Sequence, residues 1–325
     1  MAISKVVFGG ETLIDLTSDT ITAETLASGV TAHDKAGELI VGTAEMGGGG
    51  GSLDDYISGA STSMVSNATE VRENCFKNDT FITSIEFNED ITTIGNYFCN
   101  GCTNLTSAIF NGNIGTIGSN LLYSCTNLTS AIFNGNIDTI GDYLCDGCTK
   151  LTSIEFNEDI TTIGNYLCDD CTNLTSAIFN GNIGTIGRDF CNGCTNLTSV
   201  EFGGNVDTIN RSFSSTKLTR IAFVGNVGTI NGSSFTGSAL TSVTFGGNVG
   251  TISSSAFSGC SALTLVDFRN ATTIPTLASY RGFYNLNANC KIVVPDSLYN
   301  NWVAATNWSH SSIQPMIVKA SEYVE

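Results

Sequence analysis

Four pairs of cysteines with two residues between them are the first groups in this sequence that could do chemistry. They are Cys99/Cys102, Cys145/Cys148, Cys168/Cys171 and Cys191/Cys194. Such pairs bind zinc or carry out redox chemistry in other proteins. Two further copies keep the second cysteine but have Leu122 or Phe257 in place of the first. Because a zinc ligand would not be exchanged for an apolar residue while its partner stays, the pattern favours buried thiols over zinc sites and disulfides.

Few other residues are candidates for catalysis. The two histidines, His33 and His310, lie far apart in sequence. No serine–histidine–aspartate order, H-E-x-x-H motif or phosphate-binding loop accompanies them. Glu86, Glu155 and Glu201 recur through repetition and lie whole units apart. We therefore predict no catalytic residue, no cofactor and no metal.

The cysteines belong to a repeat that runs through most of the chain. Residues 83–118 recur almost letter for letter at residues 152–187, an offset of 69 residues or three units of 23. One aromatic residue per unit marks the period: Phe87, Phe110, Phe133, Phe156, Phe179, Phe202, Phe223, Phe245 and Phe268. A fixed period of this length is typical of a solenoid. We also expect a weaker first unit with Met64 at the aromatic position and a last unit at residues 292–295.

Each unit predicts a short strand followed by a return turn. The spacing of Leu151, Ile154 and Phe156 places alternate side chains on one face of a strand. Ile160 and Ile163 are further inward positions, which lie after the strand. The rest of the unit must bring the chain back to the start of the next rung.

The pattern I-G-x-x-x-F-x-G-C-x-x-L-T-S within the unit resembles the BspA-like leucine-rich repeats of bacterial surface and phage proteins, and its clearest copy spans residues 252–263. The resemblance implies a leucine-rich-repeat solenoid over residues 53–290, with about 10–11 rungs of ~23 residues. A parallel β-sheet would form one face, and irregular or short helical turns the other. Residues 291–325 are similar to the closing segment of such arrays.

Within this C-terminal cap, residues 296–306 predict a helix with Asp296 or Ser297 as its N-cap. Trp302 would then lie against the last rung. Trp308 has two interpretations, a second covering residue or an exposed ring for stacking on a sugar, and the first is favoured because solenoids need atypical end units.

The strand positions that point away from the core offer a surface for a partner. Two columns of side chains are Glu86, Ile109, Ile132, Glu155, Ile178 and Glu201, and Asn88, Asn111, Asn134, Asn157 and Asn180. Isoleucine and the neighbouring threonines also favour strands for their shape alone, so the composition has two interpretations. Because exposed apolar residues amid polar ones often mark contact sites, we predict that these columns bind a bacterial surface glycan or protein.

The N-terminal region is predicted to be an attachment segment, residues 1–46, joined to the array by the glycine-rich linker 47–52. Residues 29–43 fit the pattern G-x-T-A-x-D-x-x-G-x-x-I-x-G-T, which is similar to a short motif of bacteriophage tail-fibre and baseplate proteins. The resemblance implies attachment to a tail or baseplate protein and assembly into a homo-oligomer, for which we expect a trimer.

The charge balance excludes several kinds of partner. Lys and Arg number 13 against 30 Asp and Glu, which gives a net charge of −17. Such an acidic chain repels phosphate backbones and anionic lipids, so we expect binding to neither nucleic acids nor membrane surfaces. The sequence has no run of about 18 apolar residues and no secretory leader pattern, which predicts no membrane span and no export.

Together these patterns predict a non-enzymatic receptor-binding protein of a phage or prophage tail. It would be located in the virion, after assembly in the host cytoplasm, and would present its repeat face to a bacterial surface. A bacterial cell-surface adhesin and an intracellular interaction scaffold are the alternatives. The missing leader pattern and the tail-like motif favour the first interpretation.

Overall fold

The structure, a computed structural model, describes residues 69–214 and 216–324 in full and, before them, the backbone of six short strands. These are β1 (Lys5–Phe8), β2 (Glu11–Asp15), β3 (Thr31–His33), β4 (Leu39–Val41), β5 (Leu53–Asp54) and β6 (Ser63–Ser66). β1 pairs with β2 and β3 with β4, both antiparallel. The predicted linker at 47–52 lies outside the described residues, and so does most of the predicted attachment segment at 1–46.

Two long sheets make up the repeat array. The 13-stranded sheet contains β5, β6, β8 (Ser84–Phe87), β10 (Ser107–Phe110), β12 (Ser130–Phe133), β14 (Ser153–Phe156), β16 (Ser176–Phe179), β18 (Ser199–Phe202), β20 (Arg220–Phe223), β22 (Ser242–Phe245), β24 (Leu265–Asp267), β26 (Lys291–Val294) and β27 (Ile317–Lys319). Only the pairing of β5 with β6 is antiparallel. Consecutive units are neighbours in register, so that Ser107 lies between Ser84 and Ser130.

A second, 10-stranded sheet runs beside the first. It contains β7 (Glu70–Val71), β9 (Ile91–Ile94), β11 (Ile114–Ile117), β13 (Ile137–Ile140), β15 (Ile160–Ile163), β17 (Ile183–Ile186), β19 (Val206–Ile209), β21 (Val227–Ile230), β23 (Val249–Ile252) and β25 (Thr276–Leu277). Ile160 and Ile163, expected only as inward positions, are the buried ends of such a strand. Because its two middle residues are less buried than both ends, this strand lacks the alternation from which sequence reasoning predicts strands.

Stacked aromatic rings fill the core between the sheets. The predicted inward positions Leu151, Ile154 and Phe156 are at most 1% exposed, which confirms them. The nine phenylalanines that mark the period form one column, with centroids of neighbouring rings 4.7–5.5 Å apart. Full burial of one such ring stabilises the fold by about 1.5–3 kcal/mol relative to exposure. Each rung therefore contributes a similar increment to the core.

The return turns are irregular and depend on residues with a left-handed backbone. One column of these turns holds Tyr97, Tyr143 and Tyr166, with φ of 57–60°. Four positions later Gly101 and Gly147 have φ of 74° and 70°. Glycine adopts this conformation without strain, whereas tyrosine does so at a cost. Two such residues within five positions break any helical path, and in the described part of the array these turns contain no α-helix.

The structure confirms a leucine-rich-repeat solenoid of about 11 turns, with one correction at its start. The register pairs Ser66, not Met64, with Phe87, so Met64 lies opposite Ile85. The reason is a shorter connection: Val71 pairs with Ile94, and five steps lead from residue 66 to 71 where seven lead from 87 to 94. A strand is present at the predicted last unit, since β26 pairs with β24, but β27 pairs beyond it and is the last strand of the sheet at this end.

The C-terminal segment closes the core. It contains 3-10 helices at Tyr280–Phe283, Asp296–Leu298, Gln314–Met316 and Ala320–Glu322 and the short helix α1 (Tyr299–Ala304). Trp302 and Trp308 are fully buried, and their rings lie 5.4 and 6.2 Å from that of Phe268. Trp308 thus covers the last rung and is not an exposed sugar-stacking residue. None of the helices in the described residues has the length and apolarity needed to cross a bilayer.

The predicted helix cap is wrong. α1 is preceded by Leu298, and no side chain caps its first turn. The carboxylate of Asp296 instead accepts a hydrogen bond from the backbone N–H of Ser321 at 3.0 Å. Hydrogen bonding from Ser321, first through its side chain and then through its backbone, lowers the pKa of Asp296. The carboxylate therefore stays charged and ties the segment around Ser321 to the cap.

Candidate functional site

The second thiol of each cysteine pair donates a hydrogen bond to the preceding rung. Sγ of Cys102 lies 2.9 Å from the carbonyl oxygen of Phe76, and Sγ of Cys148 lies 3.0 Å from that of Leu122. Cys125, Cys171, Cys194 and Cys260 repeat this contact at 2.8–3.0 Å. The position therefore needs a small side chain with a proton to donate.

The first position of the pair is a packing position, which explains why Leu122 and Phe257 replace cysteine there. Desolvation raises the pKa of Cys99 and Cys191 well above the ordinary thiol value and keeps both protonated. All 12 cysteines are free, and all except the half-buried Cys75 are buried, which confirms the prediction of buried thiols. Within the described residues, no group of three or more His, Cys, Asp or Glu side chains could hold a metal ion.

The predicted partner-binding residues lie on the outer face of the 13-stranded sheet from β8 to β22, which we call the strand face. The register places Glu86 beside Ile109 and Ile178 beside Glu201, so the acidic and apolar residues form one column. Glu86, Ile109, Ile132 and Glu155 are half-buried by their neighbours, whereas Ile178 is 37% exposed and Glu201 is also exposed. Exposure in this column is therefore greatest near β16 and β18.

The predicted asparagines are bonded to one another. Nδ2 of each donates to Oδ1 of the one before, at 2.7–2.9 Å, along Asn88, Asn111, Asn134, Asn157 and Asn180. Nδ2 of Asn111 also donates to Oε1 of Glu86 at 3.1 Å. This amide ladder holds neighbouring rungs together along one margin of the strand face. Its contact with a partner stays a prediction.

The strand face changes after Asn180, where the ladder ends. Gly203, Val224 and Gly246 follow in that column. β16 and β18 pair over two residues only, whereas β12 and β14 pair over four. A depression of about 380 Å³ lies over this junction. Side chains in its lining include Thr175, Ser176, Ile178, Asn180, Ser199 and Glu201.

A second depression of about 290 Å³ adjoins the first. Its lining includes Ser199, Glu201, Arg220, Ala222, Ser242 and Thr244, so the two depressions share Ser199 and Glu201. Sequence reasoning placed Ile178, Asn180 and Glu201 in the site but missed Arg220 and the serines. The signal that could have found them is the period, which falls from 23 to 21 and then 22 residues after Phe202.

Comparison with known proteins decides the family of this array. The profile described as BspA type leucine rich repeat region matches residues 69–194 and 184–301, in six copies. The chain belongs to this family. BspA-type repeats fit a protein-interaction or adhesin role, and the leucine-rich-repeat solenoid is typically a non-catalytic interaction scaffold. A search of the curated proteins found no match.

The exposed strand face of this BspA-type array ends before its last rungs. Asp267 and Val293 continue the column of Ile178 and Glu201, but they are only 4% and 0% exposed. The carboxylate of Asp267 is paired with the guanidinium of Arg269 at 2.7 Å. The two depressions therefore lie toward the C-terminal end of the surface that this BspA-type array offers to a partner.

Proposed function

We propose that this BspA-type protein is a non-enzymatic receptor-binding protein of a bacteriophage or prophage tail. In this role it presents the strand face to a glycan or protein on a bacterial surface. The observation that carries the proposal is the strand face itself, an array of amide, hydroxyl and apolar side chains over the eight strands from β8 to β22. Apolar side chains set among polar ones are typical of surfaces that bind partners.

The tail setting is supported by the sequence motif at residues 29–43. In this proposal residues 1–46 attach the chain to a tail or baseplate protein and assemble three copies, and the BspA-type array extends outward from them. Three linked strand faces would bind one surface with an avidity well above that of a single face.

A bacterial cell-surface adhesin is the second candidate, because the BspA-type match fits an adhesin role as well. Both candidates use the same strand face, and they differ in what carries the chain. Location separates them: particles induced from the strain that encodes the chain are purified by density gradient and digested for mass spectrometry. The proposal expects peptides of the array in the particle fraction. Recovery from the cell-wall fraction alone would replace it with the adhesin, and recovery from the cytosol alone with an intracellular scaffold.

A second experiment tests the face. The triple substitution Ile109→Glu, Ile132→Glu and Ile178→Glu places three carboxylates in the central column of the strand face. We expect the purified chain to lose adsorption to host cells while keeping its circular dichroism spectrum, since these side chains lie outside the core. Unchanged adsorption would refute the assignment of the face.

The matched control adds the same charge to the other sheet. Thr93, Thr116 and Thr139 are exposed on β9, β11 and β13. Their replacement by glutamate should leave adsorption unchanged. Equal loss from both triple variants would mean that charge alone repels the chain from the cells.

A further inference from the structure

We infer that the ligand of the strand face is a neutral oligosaccharide, and that it binds in the two adjoining depressions between β16 and β22. The inference rests on the proposed function, because it names the ligand and the site of the same face. It depends on four features found together there: free charges of both signs, free hydroxyls, exposed apolar side chains and a matching size.

Glu201 and Arg220 are the charged residues of the site. The register places Ser199 beside Arg220 and Glu201 beside Ala222, so the two charged residues are diagonal neighbours on one face. Both are exposed, and neither side chain forms an ion pair or a hydrogen bond with any residue that the structure describes. A carboxylate that accepts hydrogen bonds and a guanidinium that donates them are thus available to a ligand.

Hydroxyl groups surround these charges. The side chains of Ser176, Ser199, Ser242 and Thr244 line the depressions, and none of them hydrogen-bonds to another described side chain or backbone group. At the margin, Nδ2 of Asn180 donates to Asn157 at 2.7 Å. Because Gly203 follows Asn180 in the column, no described side chain there donates to Oδ1 of Asn180. Donors and acceptors therefore alternate over a short distance, as the hydroxyl edge of a sugar requires.

Exposed apolar side chains lie in and next to the site. Ile178 lines the first depression and is 37% exposed, and Val224, which follows Gly203 of that lining in its column, is 54% exposed. A sugar ring has hydroxyls around its edge and C–H groups on its faces. Exposed aliphatic carbons near a few polar groups suit such a molecule, because small-molecule sites combine apolar contact with polar groups that fix orientation.

Size and charge narrow the ligand further. Depressions of about 380 and 290 Å³ are near the lower end of small-molecule sites, ~300–1,000 Å³, and they share Ser199 and Glu201, which suits a ligand of two adjoining sugar units. Glu201 and Arg220 cancel each other, while the chain as a whole carries −17 and repels polyanions at a distance. These charges favour a neutral oligosaccharide over an acidic one.

The test measures binding of the full chain to an array of neutral, amino and acidic bacterial oligosaccharides, followed by calorimetry with the best neutral glycan. We expect Glu201→Gln and Arg220→Gln each to weaken that binding by about tenfold or more, because each removes a charged hydrogen-bonding partner. Asp207→Asn is the matched control, since Asp207 is an exposed carboxylate of the same rung as Glu201 but lies on β19, in the 10-stranded sheet. Its affinity should stay within about twofold of the unmodified chain.

Each contrary result has a distinct meaning. Binding to acidic glycans only, or an equal loss from Asp207→Asn, would overturn the inference. If no glycan binds while the chain still adsorbs to cells whose sugars have been oxidised by periodate, the ligand is a protein; the inference then fails and the proposed function stands. Absence of the chain from phage particles would instead defeat the proposed function, whatever the array shows. Thermal melting of the three surface variants confirms that they remain folded.

Discussion

The two halves of the array fill the same turn in opposite ways. In four of the five turns of residues 95–194 a large side chain precedes a cysteine, the exception being Leu121–Leu122, and in residues 230–260 a small side chain precedes a large one. The pairs are Leu144–Cys145 and Phe190–Cys191 in the first half, and Ser234–Phe235 and Ala256–Phe257 in the second; all eight residues are at most 2% exposed. The backbone is the same in both, because N–H of Cys145 and of Phe235 donate to the next rung at 2.8 Å. Between the two halves, the large side chain moves from the first to the second position of the pair, and the volume that the two side chains fill together is conserved.

The outer surfaces of the two halves differ as well. The first half has near-identical copies, a continuous amide ladder and half-buried outward side chains. The second has a shorter period, no ladder in that column, and the depressions around Glu201 and Arg220. Copied rungs thus supply a regular support, whereas the candidate site lies where the copies diverge.

Alkaline pH should separate the halves most strongly, because nine of the 12 cysteines lie in residues 95–194. Desolvation raises the pKa of Cys99, Cys148 and Cys191 well above the ordinary value, while unfolded thiols titrate near pH ~8.5. A thiol whose pKa is raised in the folded state contributes its full stabilisation below the pKa of the unfolded thiol. That contribution is lost as the pH rises above this value. Each such thiol then lowers the free energy of unfolding by up to about 1.4 kcal/mol per pH unit. Urea titrations at successive pH values should show the free energy of unfolding falling steeply above pH ~8.5.

Hydrogen exchange shows which half opens. Hydrogen-exchange rates are first corrected for the intrinsic effect of pH. We then expect amides of residues 95–194 to lose protection before the others as the pH rises. Earlier opening of residues 230–260, or constant stability up to pH ~10, would contradict the assignment of the thiols as the difference between the halves.

Converting one rung of the second half toward the first tests the volume exchange. Phe235→Cys removes a fully buried ring that stacks between Phe213 and Phe257 at 5.4 and 4.8 Å. We expect a loss of about 3 kcal/mol in the free energy of unfolding, measured by urea denaturation. Adding Ser234→Leu should restore roughly half of it, since the order of large and small side chains then matches the first half. A double variant no more stable than Phe235→Cys alone would show that the exchange rule is wrong.

The two cysteine positions should differ by a smaller amount. Cys148→Ala removes the S–H that donates to the carbonyl of Leu122, which then keeps only the bond from N–H of Cys125 at 3.2 Å. Cys145→Ala removes packing and a thiol–thiol contact with Cys148, but no bond to a backbone carbonyl. We expect the first to be less stable than the second by about 0.5–1 kcal/mol in urea denaturation. Cys148→Ser, which retains a donor, is the control, and equal stability of the two alanine variants would contradict the donor role.

The smallest effect is expected at Asp146 on the turn side of the first half. Partial burial, with Asp169 and Asp170 nearby, raises the pKa of Asp146 to about 6. Because the pKa of Asp146 is raised in the folded state, this group contributes its full stabilisation below pH ~4. The contribution is lost as the pH rises to about 6. Asp146→Asn should therefore raise the melting temperature slightly at pH 7 and leave it unchanged at pH 4. An equal shift at both pH values would point to packing instead of charge.

The sequence allowed prediction of those parts of the fold that follow from the repeat period. The alternation at Leu151, Ile154 and Phe156 predicts the first strand of each unit, and the replacement of cysteine by Leu122 predicts the packing role of the thiols. The second sheet was not predicted, because burial of Ile160 and Ile163 at both ends of four residues fits no simple alternation. In the candidate site, columns follow from register, so Ile178 and Glu201 could be placed side by side.

Arg220 could not be placed in the site from sequence, for a physical reason. Its depression lies over β18, β20 and β22, next to the junction at which β16 and β18 pair over only two residues and the period changes. Residue types do not show how far two strands pair. The hydrogen bonds among Asn88, Asn111 and their successors were also missed, because an outward amide can bond equally well to solvent, to a ligand or to the next rung.

The parallel stacking of rungs has a mechanical consequence for a molecule held at one end and bound near the other. The hydrogen bonds between successive strands, from β8 to β16, lie between β6, near the N-terminal end of the sheet, and the depressions. Tension applied between those points loads the bonds in series, so rungs peel apart one after another. Each rung that opens releases 23 residues, about 80 Å of extended chain. The array would then lengthen under tension, and the force on the contact between the array and the bound surface would fall.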